Sequence, residues 1–175
     1  MLFDDDNWLN DTIICAYLKL LKSFYSSCHV SNTYLFAYIK STSLEHVSKF
    51  FRNVDLLKYE NFLIPIHEPS HWALAEVNLT KKIISYYDSM DKENAKANIF
   101  LPQIKELMEY ILPDTKFSIN EKNQSMQQTD SSSCGIFVLA NARSIVLKKN
   151  ILINQAEINQ ARRVFKAELI NTKIL

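Results

Sequence analysis

Cys134 stands between a polar run, Gln128-Thr129-Asp130-Ser131-Ser132-Ser133, and an apolar stretch, Ile136-Phe137-Val138-Leu139-Ala140. Directly after it comes Gly135, the only glycine among 175 residues. Glycine ordinarily supplies turns, caps and close backbone approaches throughout a domain. A chain that places its single one here marks the neighbouring cysteine. Ser and Asp side chains can accept hydrogen bonds from the first free N–H groups of a helix. The run therefore predicts a helix start with Cys134 at or near its N-terminus, where the macrodipole favours thiolate over thiol. That makes Cys134 a candidate nucleophile. The competing reading is a buried cysteine opening a core helix, since unpaired Cys is among the most buried residue types.

A thiol nucleophile needs a base, a group that orients the base, and donors for an oxyanion. Four histidines are available, at 29, 46, 67 and 71. His29 reads as part of a polar loop and His46 as part of a helix, both expected to be exposed. His67 and His71 bracket a connection between two strands. His71 is the better candidate, because it opens a strand and precedes Trp72, a ring large enough to wall a cleft. Asp88 closes the next strand. A hairpin turning at Leu79–Lys82 sets His71 opposite Asp88, and a carboxylate there fixes the imidazole tautomer and stabilises the imidazolium. Asp88 could instead cap the segment from Ser89 onward. Gln128, six residues before Cys134, can donate to an oxyanion together with the Cys134 backbone N–H. Gln127 offers the same chemistry one residue earlier.

The elements that must position these groups follow from periodicity. Leu9, Ile13, Ile14, Tyr17, Leu20, Leu21 and Phe24 recur at helical spacing, with Asn10 as the N-cap and Cys15 a structural residue inside. Tyr34–Ile39 reads as a short helix and Leu44–Leu57 as another. Asn61–His67 is a strand in which Pro65 argues for an edge or a bulge. His71–Asn78 and Ile83–Asp88 are the strands of the hairpin. Asn94–Leu112 is helical with Pro102 interrupting or restarting it, and Thr115–Lys122 is a fourth strand. The Cys134 helix runs to about Lys149. A last helix over 154–171 buries Ile158, Ala161, Val164, Phe165 and Leu169. The fold class is α+β: a small, mostly antiparallel sheet with flanking helices.

The apolar fraction of 47% and charged fraction of 22% describe one soluble globular domain. A net charge of +1, with basic residues only in short pairs, excludes a dedicated nucleic-acid binder. Three cysteines at 15, 28 and 134 fit neither a disulfide framework nor a zinc site, which points to a reducing, intracellular compartment. There is no apolar run of membrane-spanning length, and the acidic start at Asp4-Asp5-Asp6 is wrong for a signal peptide.

Four motifs now line up: Trp8-Leu9-Asn10-Asp11, His71-Trp72-Ala73-Leu74, Asp88-Ser89, and Gln128 six residues before Cys134-Gly135. They occur in the order and approximate spacing of the clan CE cysteine proteases. From about residue 7 to 170 the chain resembles the ubiquitin-like-protein-specific proteases, the Ulp and sentrin-specific family. The resemblance implies the adenain/Ulp-like fold over a single catalytic domain, 1–175. It implies a triad of His71, Asp88 and Cys134, with Gln128 in the oxyanion hole. Trp8 and Trp72, with Asp11 nearby, are similar to the residues that bind substrate, the two rings sandwiching a C-terminal Gly-Gly. The implied reaction is thiol peptidase and isopeptidase cleavage after that Gly-Gly, with no metal or organic cofactor. The implied partner is ubiquitin, SUMO or NEDD8 and its conjugates, met by a monomer in cytoplasm or nucleus, or in a host cytosol if the chain is a bacterial effector. Two departures stand out: Ser133 where the family commonly has Asp, and Ser132 where an aromatic is frequent. The alternatives are a clan CE effector acetyltransferase, whose acid is usually Glu, and an inactive ubiquitin-like binding module, which would not need every catalytic position filled.

Overall fold

The computed structural model describes residues 7–149 and 153–175. The Asp4–Asp6 segment lies outside them. Helix α1 (Asp11–Phe24) begins where Asn10 accepts a hydrogen bond from the Ile13 amide at 3.0 Å, as the cap pattern predicts. A five-stranded sheet comes next, in spatial order β1 (Cys28–Val30), β2 (Asn61–Glu68), β3 (His71–Asn78), β4 (Ile83–Tyr87), β5 (Ser118–Ile119). The long central pairings, β2 with β3 and β3 with β4, are antiparallel; the short outer ones are parallel. Between β1 and β2 lie α2 (Leu35–Ser41) and α3 (Leu44–Ser48). Helix α4 (Ala97–Ile111) precedes β5, and α5 (Cys134–Leu147) and α6 (Ile158–Asn171) complete the fold.

The sheet is covered on both faces. One core joins Phe62, Ile64, Ile66, Ala75, Val77, Ile84 and Tyr86 to α2, α3 and α4; the other joins Leu63, Trp72 and Leu74 to α1, α5 and α6. Alternate residues of each strand serve opposite cores, so β2 and β3 read as continuous apolar runs. Helix α5 is buried almost all round over Cys134–Ala142, because sheet, α1 and α6 enclose it.

Several sequence expectations are corrected. Leu44–Leu57 is no single helix: α3 ends at Ser48 and gives way to short 3-10 turns at Lys49–Phe51 and Leu56–Lys58. Helix α4 starts at Ala97 and not at Asn94, because the Asp91 carboxylate takes the Ala95 and Lys96 amides and holds a turn there. Pro102 sits inside α4 without ending it. The fourth strand shrinks to Ser118–Ile119. β2 is an inner strand, yet β1 pairs only with Asn61–Leu63, so Pro65 lies past the end of β1 where no ladder amide is required. His29 lies in strand β1, where the sequence pattern reads as loop, and is half-buried; the cost of burying a cation, then the charge of Lys22, pushes it down to about 4.

Candidate active site

The first residue of β3, the residue after β4 and the first residue of α5 meet at one end of the sheet. The β3–β4 pairing ends at Leu74 opposite Tyr87, and Asp88 stands one residue beyond it. The turn position predicts direct opposition of His71 and Asp88; the register instead leaves them offset, and Asp88 reaches diagonally. The contact is close all the same. His71 Nε2 and Asp88 Oδ1 are 2.7 Å apart, with Asp88 wholly buried and His71 nearly so.

Asp88 is held on all sides. Oδ1 also accepts from the Met90 amide at 2.8 Å, and Oδ2 accepts from the Tyr86 hydroxyl at 2.9 Å. The capping reading and the His-orienting reading thus describe one carboxylate doing both, although the Ser89–Met90 segment is a turn and not a helix. Asn123 fixes the Asp88 backbone, accepting from its N–H and donating to its carbonyl. Burial raises the Asp88 carboxyl, but His71, the Met90 amide and the Tyr86 hydroxyl together outweigh it and the group lies below its ordinary value. Burial likewise disfavours imidazolium, and the hydrogen bond to Asp88 with the nearby Cys134 sulfur outweighs that, raising His71 to about 9. The other ring nitrogen, Nδ1, is buried and has no hydrogen-bond partner. It is the nitrogen left for the thiol.

Cys134 is the first residue of α5, 2% exposed, so its N–H is among the helix amides that have no intrahelical acceptor. The expected side-chain cap is absent. Ser133 is the N-cap, but its side chain accepts from none of the helix amides; its carbonyl accepts from Ile136 and Phe137. The polar run caps itself instead, Asp130 Oδ1 accepting from the Ser132 and Ser133 amides at 3.1 and 3.0 Å. Gly135 is helical and serves no turn. A Cβ there would lie 2.9 Å from Leu9 Cβ, so the glycine exists to let the Trp8–Leu9 segment press onto the cysteine's helix.

The two glutamines separate. Gln127 Nε2 donates to the carbonyls of Asp88 and Ser125, at 3.0 and 3.3 Å, and so buttresses the acid. Gln128 accepts from Ser89 Oγ at 2.6 Å, and its Nε2 faces Asp130, donating to the carbonyl at 2.7 Å with Oδ1 at 3.4 Å.

Trp8, Asp11 and Trp72 line one groove of about 490 Å³, with Leu9, Asn10, Thr33, Tyr34, Ala37 and His67. Trp72 is buried, donates to the Leu9 carbonyl at 2.9 Å, and lies against the His67 ring at a centroid distance of 4.3 Å. Trp8 is 46% exposed. Asp11 accepts from the Tyr34 hydroxyl at 3.0 Å on the groove wall. Cys15 contacts Thr33 of the groove wall at 3.6 Å, and Cys28, at the other end of the sheet from His71, is pushed up to about 12 by burial.

Sequence reasoning missed Arg162. It is 1% exposed and donates to the Asn7 carbonyl at 2.8 Å and the Ser132 carbonyl at 3.2 Å, tying the Trp8 segment to the cysteine loop. An arginine on the apolar side of the last helix, between Ala161 and Phe165, was the available signal. Among the described residues no cluster of His, Cys, Asp or Glu suits a metal ion, and no helix is long and apolar enough to cross a membrane.

The model of the Ulp1 protease family, C-terminal catalytic domain, matches residues 7–173. The chain belongs to this family. Relatives include human sentrin-specific protease 2, 27% identical over 97% of this chain, and mouse sentrin-specific protease 5, 28% identical over 98%. The chain spans 31% and 24% of those proteins, under a third of their length. Among solved structures, the C-terminal Ulp1 protease domain in complex with Smt3, the yeast ortholog of SUMO, superposes with a TM-score of 0.89 at 22% identity, over 98% of this chain and 80% of that one. The Xanthomonas campestris effector XopD bound to ubiquitin gives 0.62 at 18% identity, over 89% and 90%. These likenesses give the Ulp1-like fold.

Proposed function

We propose that this chain is the catalytic domain of a thiol isopeptidase and peptidase that cleaves after the C-terminal Gly-Gly of a SUMO-type modifier. The observation that carries the reading is the buried His71–Asp88 contact of 2.7 Å, with the free Nδ1 beside the Cys134 sulfur at a helix start. Asp88 fixes the ring and stabilises its protonated form, and the imidazolium is the partner a thiolate needs. The thiolate bonds to the carbonyl carbon of the last glycine. The negative oxygen that forms is received by the Cys134 N–H, with the Gln128 side-chain amide as the second donor. The C–N bond breaks as His71 passes its proton to the departing amine. Water, deprotonated by His71, then opens the thioester, releasing the glycine carboxylate and restoring the thiol. Every step is acid–base and nucleophilic chemistry of the named side chains.

Trp8 and Trp72 on one groove suit a tail without side chains. The modifier class rests on the relatives: both sentrin-specific proteases and the Smt3 complex concern SUMO-type proteins. Ubiquitin is the second reading, supported by the XopD–ubiquitin structure at a lower TM-score. The test is hydrolysis of SUMO, ubiquitin and NEDD8 carrying a fluorogenic amide at the terminal glycine. The expected order of kcat/KM places SUMO first. Ubiquitin first would replace the modifier. No hydrolysis of any, with acetyl transfer from acetyl-CoA instead, would sink the protease reading.

A further inference from the structure

Within the loop from Gln128 to Cys134, the hydrogen bonds converge on one carboxylate. Asp130 Oδ1 accepts from the Ser132 and Ser133 amides, and Oδ2 accepts from Ser133 Oγ at 2.6 Å. The Asp130 carbonyl takes the Gln128 side-chain N–H. Outside the loop, Ser89 holds Gln128 and Arg162 holds the Ser132 carbonyl, while Gln155 is the residue that reaches the carboxylate itself. Gln155, just before α6, donates its Nε2–H to Asp130 Oδ2 and accepts the Thr129 amide at Oε1, at 2.8 Å.

We propose that Asp130, anchored by Gln155, is the positioning residue for the oxyanion loop, setting where the Gln128 amide and the Cys134 N–H point. The inference rests on the protease reading. It also accounts for Ser133: the loop's carboxylate stands three residues earlier, and Ser133 is hydrogen-bonded to it. Burial alone would raise Asp130, but its bonds to Ser133 and then Gln155 hold it below the ordinary carboxylate value, so it remains an acceptor throughout the working range. The polarity of the contact is fixed at both ends. Gln155 must turn its oxygen to the Thr129 N–H, so only its N–H can face Asp130, and only an acceptor can stand there.

That polarity supplies the test. Asp130→Asn sets an amide donor against the Gln155 donor. Gln155→Glu sets two carboxylates together. Made jointly, Asp130→Asn with Gln155→Glu restores one donor and one acceptor, while the new carboxylate still receives Thr129. Each single change is expected to lower kcat on a Gly-Gly-tail substrate by on the order of tenfold to a hundredfold, the range for a small misplacement of catalytic groups. KM and the rate at which chloroacetamide alkylates Cys134, mapped by peptide mass spectrometry, are expected to stay at wild-type values, because sulfur and His71 are untouched. The double change should recover most of kcat. Gln155→Ala, which removes the anchor without adding charge, should match the single changes. Wild-type kcat in the single variants would overturn the inference, as would kcat and alkylation falling together, or a double variant no better than the worse single one. A wild type that turns over no Gly-Gly tail would overturn the protease reading itself, visibly and before any variant is made.

Discussion

His71 and Asp88 show the sign of their linkage to folding. The folded value of His71 is about 9, above its ordinary 6.5, so protonation stabilises the native state. That contribution is complete below pH 6.5 and is lost as pH rises through 9. The Asp88 value is lowered, so its contribution is present above the ordinary 3.8 and lost as pH falls through the folded value. Urea unfolding of the wild type should therefore lose stability between pH 6.5 and 9, on the order of 3 kcal/mol at most. His71→Gln has no proton to shed there and should show no such loss. Asp88→Asn should cost kcat far more than KM, by on the order of 10⁴ as in other triads. Gly135→Ala should destabilise by about 1–3 kcal/mol through overpacking, read from thermal or urea melts. Leu9→Ala would not relieve it, because the colliding atom is the Leu9 Cβ. The single glycine was legible in the sequence as a marker of the cysteine. Its reason was not, since close approach by a residue 126 positions away leaves no local pattern.

Among the elements, those with strong periodicity or a clear turn were legible: α1 with its Asn10 cap, the β3–β4 hairpin and α5. The three-residue β1 was not, and β5 was read as a strand but over too long a span, because parallel pairing at a sheet margin imposes no alternation on so few residues. The hairpin placed His71 near Asp88 but missed the diagonal, since pairing stops at Leu74. Helix α6 looked like a cover for the core. Through Arg162 it also joins the carbonyls of Asn7 and Ser132, residues brought together only by the complete fold. Arg162→Met keeps the bulk and removes the donors. It should cost about 2–3 kcal/mol, the scale for leaving buried carbonyls unpaired, and should raise KM for tail substrates as the Trp8 segment loosens. Unchanged KM would detach α6 from the groove.

For the whole molecule, two helical layers clamp one sheet, and the site lies where β3, β4 and α5 share an end. Trp72 belongs to both descriptions, as a buried core ring and as a wall of the Trp8 groove. Trp72→Ala should damage cleavage of Gly-Gly tails more than alkylation of Cys134 by a small reagent; equal losses would argue that the ring serves packing alone.

The most direct measurement is covalent capture by SUMO ending in a propargyl amide, with the modified residue located by peptide mass spectrometry. The wild type should form one adduct, at Cys134. Cys134→Ala should form none, and His71→Gln should react far more slowly. An adduct at Cys15 or Cys28, one that survives Cys134→Ala, or no adduct with SUMO, ubiquitin or NEDD8 would contradict the account.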